Sequence, residues 1–131
     1  MLFRSLDTEA RAAWDEVRSG LEAAGFGVPR RSELDLHPEV VHALLRDGSL
    51  VAIGEFAYLP EQIEDLVDRV TAMPDGFTVG EFRDALGVSR KHAVPLAEWL
   101  DSRGITRREG DRRVIRRSRP GEPGPGDARS R

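Results

Sequence analysis

Apolar residues recur at helical spacing through most of this chain and gather into short β-rich runs at two places. Over residues 7–25, Ala10, Ala13, Trp14, Val17, Leu21 and Ala24 fall on one helical face, with Asp7 or Thr8 as its N-cap. Residues 26–31 read as an extended connection, because Gly27 and Pro29 interrupt any helix. A short helical piece follows around residues 32–34. Pro38 suits the first turn of the next helix, to which Val40, Val41, Leu44 and Leu45 give an apolar face that ends before Gly48. Residues 50–53 and 56–59 are β-rich, and Gly54-Glu55 between them predicts a tight hairpin.

The same programme then repeats. Ile63, Leu66, Val67 and Val70 form an amphipathic face that Pro74 and Gly76 terminate. Thr78-Val79-Gly80-Glu81 is a capping-box pattern opening a short helix with Phe82, Ala85 and Leu86 inward. Gly87 turns the chain, and Ser89 caps a longer helix running to about Arg103, with Ala93, Leu96, Ala97 and Leu100 inward and Val94, Glu98 and Asp101 outward. Residues 105–108 and 112–116 are strands around Glu109-Gly110-Asp111. At an offset of 56 residues Val40 falls on Leu96, Leu44 on Leu100, Gly48 on Gly104 and Gly54 on Gly110.

Helices followed by a two-stranded hairpin give the order of a winged helix. The expected fold is mainly α with small β-hairpins: two tandem winged-helix domains, residues 1–59 and 60–117. The one-residue join at Pro60 predicts that the two units pack together. A Gly/Pro-rich tail, residues 118–131, has no apolar periodicity and is expected to be disordered.

Charge sharpens this division. The chain carries a net charge of -3, but residues 1–85 hold 8 Lys/Arg against 17 Asp/Glu, whereas residues 86–119 hold 10 against 4. Such asymmetry points the basic part toward a nucleic acid or another acidic surface and the acidic part away from it. There is no cysteine, which suits a reducing cytoplasm, and His37, His42 and His92 are too scattered for a metal site. No metal or cofactor is called for. No apolar run is long enough to cross a bilayer and no stretch resembles a signal peptide, so a cytoplasmic monomer without membrane contact is expected.

The candidate chemistry lies in the basic part. Arg90 and Lys91 follow Ser89 in the first turn of the long helix, where the macrodipole disfavours cations by roughly 0.3–1 kcal/mol each. A phosphate reverses that sign, since cations, free N–H groups and dipole then act on one anion. Arg107, Arg108, Arg112, Arg113, Arg116 and Arg117 crowd the hairpin that follows, with only Glu109 and Asp111 to offset them. One or two basic residues would protect a strand edge, so this number favours binding; guanidinium groups suit phosphates and base faces. Asp111 at the tip either accepts from a base edge or stabilises the turn. His92 either touches the ligand or is an ordinary surface histidine. Pro95 is expected to shape the start of its helix, Trp14 to be core, and Trp99 to pack at an interface. There is no phosphate-loop motif, and Ser89 and His92 lack a third group to orient them, so no enzyme activity is expected.

The stretch from Phe77 through Ser89-Arg90-Lys91-His92-Ala93-Val94-Pro95-Leu96 and Glu98-Trp99-Leu100-Asp101 to Thr106-Arg107-Arg108-Glu109-Gly110-Asp111-Arg112-Arg113 resembles the C-terminal winged helix of bacterial selenocysteine-specific elongation factors, the SelB family. The first unit resembles the preceding winged helix of that family more loosely. The resemblance implies that the second unit holds the selenocysteine insertion hairpin of a messenger RNA. Arg90, Lys91 and His92 on the helix and Arg107, Arg108, Gly110, Asp111, Arg112 and Arg113 on the wing would then face the RNA. The family often has an aromatic residue where His92 stands. The family's GTPase and tRNA-binding parts are expected to be missing, so that the chain is a fragment or a detached RNA-binding end. The acidic unit would serve as a spacer or a ribosome-facing support.

Two other readings compete. One is a winged-helix DNA-binding regulator, against which stand Val94, Glu98 and Asp101 on the outward helix surface. The other is a protein-interaction module whose Arg-rich wing meets an acidic partner.

Overall fold

The computed structural model describes residues 8–116. The expected Asp7 cap, Arg117 and the tail at 118–131 lie outside them. The first helix, α1 (Thr8–Ala24), buries Trp14 and Leu21 and gives way to Gly25 at φ +65°. After an extended stretch and a single 3-10 turn (Arg31–Glu33), α2 (Pro38–Asp47) begins with Pro38 in its first turn. Its N-cap is His37, whose Nδ1 accepts a bond of 3.1 Å from the Glu39 amide. Gly48 at φ +86° ends it in the left-handed region. Strands β1 (Val51–Ile53) and β2 (Phe56–Tyr58) pair antiparallel, with Ile53 opposite Phe56 across a two-residue turn. Gly54 takes φ +60° at the first turn position, as a twist-matched hairpin turn requires. Arg30 adds an antiparallel bridge to Phe56 on the other side of β2.

The second half runs α3 (Pro60–Thr71), β3 (Phe77–Thr78), α4 (Val79–Leu86), α5 (Arg90–Ser102), β4 (Thr106–Glu109) and β5 (Arg112–Ile115). Thr78 and Glu81 form the expected reciprocal cap of α4, with bonds of 3.1 and 2.9 Å. Gly87 at φ +71° turns the chain into α5. β5 is central in a three-stranded antiparallel sheet of order β3-β5-β4. The Phe77–Thr78 strand was not expected from the sequence: two residues are too short to show a period of two. Its counterpart in the first half is the single bridge at Arg30, where the helix between bridge and α2 shrinks to one 3-10 turn.

The architecture is thus helix-rich with two small antiparallel sheets, and one apolar cluster runs through both halves. Leu44, Leu66, Val70, Phe82, Ala93 and Leu96 are completely buried within it. Two polar groups join this core on strict terms. The Tyr58 hydroxyl donates to the Phe26 carbonyl at 2.9 Å, and burial pushes its pKa well above the usual phenol range. Gln62, at the third position of α3, accepts from the Leu59 amide at 2.9 Å and donates to the Leu21 and Gly25 carbonyls at 2.7 Å each. It therefore satisfies the start of α3 and the end of α1 with one side chain. At the surface between the same helices Glu61 pairs with Arg18 at 2.9 Å. A hydrogen bond from its own backbone, then the Arg18 guanidinium, hold the Glu61 carboxyl below the usual range.

Candidate nucleic-acid interface

The basic residues of the second half sit on two elements, the first turn of α5 and the β4–β5 wing. Ser89 occupies the N-cap position with extended backbone (φ −88°, ψ 170°), but its hydroxyl makes no capping bond, contrary to the expected cap. The amides of His92 and Ala93 close the first turn on the Ser89 carbonyl at 3.1 and 3.0 Å. The amides of Arg90 and Lys91 precede any carbonyl they could reach within the helix. No acidic residue stands in this turn. The Arg90 and Lys91 side chains are exposed and form no ion pair among the described residues. The result is an uncapped helix start with its dipole, free N–H groups and two cations together, an arrangement that attracts an anion.

The wing's register sorts its arginines. Arg107 opposes Val114 and Glu109 opposes Arg112, while Thr106 opposes Ile115 and Arg108 opposes Arg113. Directly opposed residues share a face of the sheet, so Arg113 lies on the side of Thr106 and Ile115, both buried. Arg107 is exposed and bound to Glu109 in a surface pair, an interaction worth well under about 1 kcal/mol and easily exchanged. Arg108 donates from Nε to the Gly110 carbonyl at 3.1 Å across the tip. Gly110 takes φ +63°, and Asp111 beside it is exposed. Arg112 binds the Gly76 carbonyl and lies 3.9 Å from the Glu81 carboxylate, yet its side chain stays 55% exposed. Arg116 is half-buried, its guanidinium near Gly104.

Two residues expected on the RNA-facing surface turn inward. Arg113 is 5% exposed, and its Nε binds the Asp101 carboxylate at 3.0 and 3.3 Å. Thr106 donates to the same carboxylate at 2.6 Å, so Asp101 ties α5 to both strands of the wing. Asp101, expected to point outward from the helix, is instead the wing's anchor. The signal was present in the sequence: Ile115 must face the core, and the alternation of a strand then brings Arg113 inward with it. His92 is 6% exposed, its Nε2 lies 2.7 Å from the Val28 carbonyl, and its ring stacks on Phe56 at 4.3 Å. It packs against the first half and not against solvent. No sequence period could reveal this, because the contact is with residues far away in the chain. Trp99 is partly buried, with the Arg103 guanidinium 5.1 Å above its ring.

Among the described residues there is no cluster of groups suited to a metal ion, and no helix long and apolar enough to cross a membrane.

With this geometry in place, likeness to known proteins becomes informative. Residues 70–115, which run from the last turn of α3 through β5, match the family described as elongation factor SelB, winged helix. A selenocysteine-specific elongation factor of Desulfomicrobium baculatum is 31% identical over 83 residues, covering 60% of this chain and 13% of that protein. The chain therefore spans only a small part of the relative's length. A crystal structure of a bacterial selenocysteine-specific elongation factor, EF-Sec, superposes with a TM-score of 0.70 at 23% identity, covering 86% of this chain and 20% of that one. The mRNA-binding domain of SelB from E. coli, in a structure with SECIS RNA, superposes with a TM-score of 0.60 at 22% identity, covering 84% of this chain and 98% of that one. By sequence over its second half and by fold over most of its length, the chain is similar to the C-terminal winged-helix region of the selenocysteine-specific elongation factor SelB.

Proposed function

We propose that this chain comprises two tandem winged-helix domains, residues 1–59 and 60–117, and that the second binds the selenocysteine insertion hairpin of a messenger RNA in the cytoplasm. The contacting groups are Ser89, Arg90 and Lys91 at the start of α5, with Arg107, Arg108, Gly110, Asp111, Arg112 and Arg116 on and beside the wing. The observation that carries this reading is the uncapped start of α5, where two exposed cations, without an ion pair among the described residues, stand in place of the acidic residues usual there. The E. coli neighbour with the same fold was captured with SECIS RNA, which directs the choice of ligand.

An RNA hairpin suits this surface better than a duplex. The A-form major groove is too narrow to admit side chains, so recognition falls on loop or bulged bases held beside phosphates. A basic helix start and a basic wing on one domain offer two separate sets of phosphate contacts, between which an extruded base would be held. Beyond its first turn, α5 exposes Glu98 and half-exposes Val94, poor material for lying along a DNA major groove. The role assigned to this chain is binding, without catalysis.

The test is binding to a panel of short RNA hairpins and matched duplex DNA across a salt series. Tight binding to one hairpin class, with log K falling against log salt by about 0.7–0.9 per phosphate contacted, is the expected result. Preference for duplex DNA, or equal weak binding to every nucleic acid, would overturn the reading.

A further inference from the structure

The inward turn of His92 gives the first half of the chain a task at the RNA site. His92, Pro95 and Trp99 stand at i, i+3 and i+7 on α5 and so form one stripe along it. The β1–β2 hairpin meets this stripe. The Phe56 ring stacks on His92 at 4.3 Å, and Val28, just before that hairpin's bridging residue Arg30, accepts from Nε2 at 2.7 Å. One helical turn further on, Gly54 at the hairpin tip lies so close to Pro95 that a β-carbon there would stand 3.1 Å from the proline Cβ. The glycine serves this close approach as well as its own positive φ. Pro95 meets it with the Cβ and Cγ of its compact ring, whose conformation is fixed.

This grip falls on the first two turns of α5, the first of which also carries Arg90 and Lys91. A frayed turn would let the two cations wander, since helix ends are the least constrained part of a helix and this one has no side-chain cap. We infer that the first half acts as the missing clamp: through His92 and Pro95 it fixes the α5 start and thereby the position of Arg90 and Lys91 toward the RNA, without touching RNA itself. His92 is a positioning residue in this scheme. The inference rests on the RNA-binding reading above and adds to it the role of the acidic half.

The experiment uses the full chain and the RNA hairpin that the unaltered protein binds most tightly, at a temperature well below unfolding of every variant. His92→Phe keeps an aromatic ring against Phe56 and removes the donor to Val28; His92→Gln keeps an amide donor. Gly54→Ala perturbs the same contact from the first half. We expect His92→Phe and Gly54→Ala to weaken binding about tenfold, within the usual range of coupling between sites, and His92→Gln to recover most of the affinity. Arg90→Ala should then cost less in the His92→Phe background than in the unaltered protein, because the clamp and the cation act as one unit.

A purely structural role for His92 predicts something else: lower melting temperatures, unchanged affinity of the folded protein, and additive effects with Arg90→Ala. That outcome would overturn the inference while leaving RNA binding in place. Absence of hairpin binding by the unaltered protein would remove the RNA reading and this inference with it.

Discussion

At the residue scale, the informative side chains are polar groups inside an apolar cluster, because each is held on terms that a single substitution exposes. Tyr58 is completely buried and donates to the Phe26 carbonyl. Burial raises its pKa, so the folded protein holds this proton more tightly than the unfolded chain does. The stability it contributes is complete below the ordinary phenol pKa of about 10 and is lost as pH rises from there toward the folded value. Tyr58→Phe should cost about 1 kcal/mol at neutral pH, from the lost bond and the orphaned carbonyl. It should also flatten the loss of stability above about pH 10. Denaturant melts of both proteins at several alkaline pH values check this; parallel pH profiles would mean that Tyr58 is not the alkaline trigger. Arg113 poses a different question, because the sequence groups it with RNA-facing arginines while its guanidinium lies buried against Asp101. Arg113→Ala should destabilise the fold by about 2–4 kcal/mol, toward the cost of breaking a buried pair, since the Asp101 carboxylate keeps some contact with water. Below its melting point the variant should keep most of the salt dependence of RNA binding, whereas loss of a true phosphate contact lowers the slope by about 0.7–0.9.

At the element scale, the start of α5 sets helix stability against binding. Lys91→Glu replaces a cation in the first turn by a carboxylate, which the dipole favours by about 0.3–1 kcal/mol. The variant should therefore melt slightly higher and bind RNA more weakly, opposite changes from one substitution. Calorimetry with hairpin titration checks both signs, and a variant that loses stability and affinity together would mean that the turn is ordered by Lys91 itself. Most elements were legible in advance because helices with four or more inward residues announce their period. The same holds for turns that need positive φ: Gly48, Gly54, Gly87 and Gly110 all stand where the chain reverses or ends a helix. What escaped was set by tertiary partners. β3 is too short to carry a pattern and exists because β5 offers it an edge. Gln62 has no apolar period to mark it, yet it closes three backbone groups between α1 and α3. Of the basic cluster, Arg90 and Lys91 stand exposed as expected, while Arg113 and His92 were misplaced, the first through an unused alternation and the second through a contact with the other half.

At the scale of the whole molecule, the question is whether two units of this size behave as two bodies or one. The apolar cluster is continuous, drawing Leu21, Leu44 and Phe56 from the first half and Leu66, Phe82 and Leu96 from the second. Gln62 and the Arg18–Glu61 pair cross from α1 to α3, and His92 crosses back from α5 to the first hairpin. Units shorter than about 60 residues bury too small a fraction of their surface to be more than marginally stable alone. Sharing a core then couples their unfolding more strongly than a flexible join would. Urea denaturation should accordingly give one cooperative transition, with Trp fluorescence and far-ultraviolet circular dichroism coinciding. Trp14 and Trp99 stand in opposite halves, so each single Trp→Phe variant reports on one half alone. Coincident midpoints for the two reporters are the expected outcome. Gln62→Ala, which orphans two buried backbone groups and one part-buried carbonyl at the crossing of α1 and α3, should lower both midpoints together by a shift worth roughly 2–4 kcal/mol. If instead the Trp14 signal moves and the Trp99 signal does not, the halves fold independently, and the acidic unit could then influence the RNA site only through contacts made after both have folded.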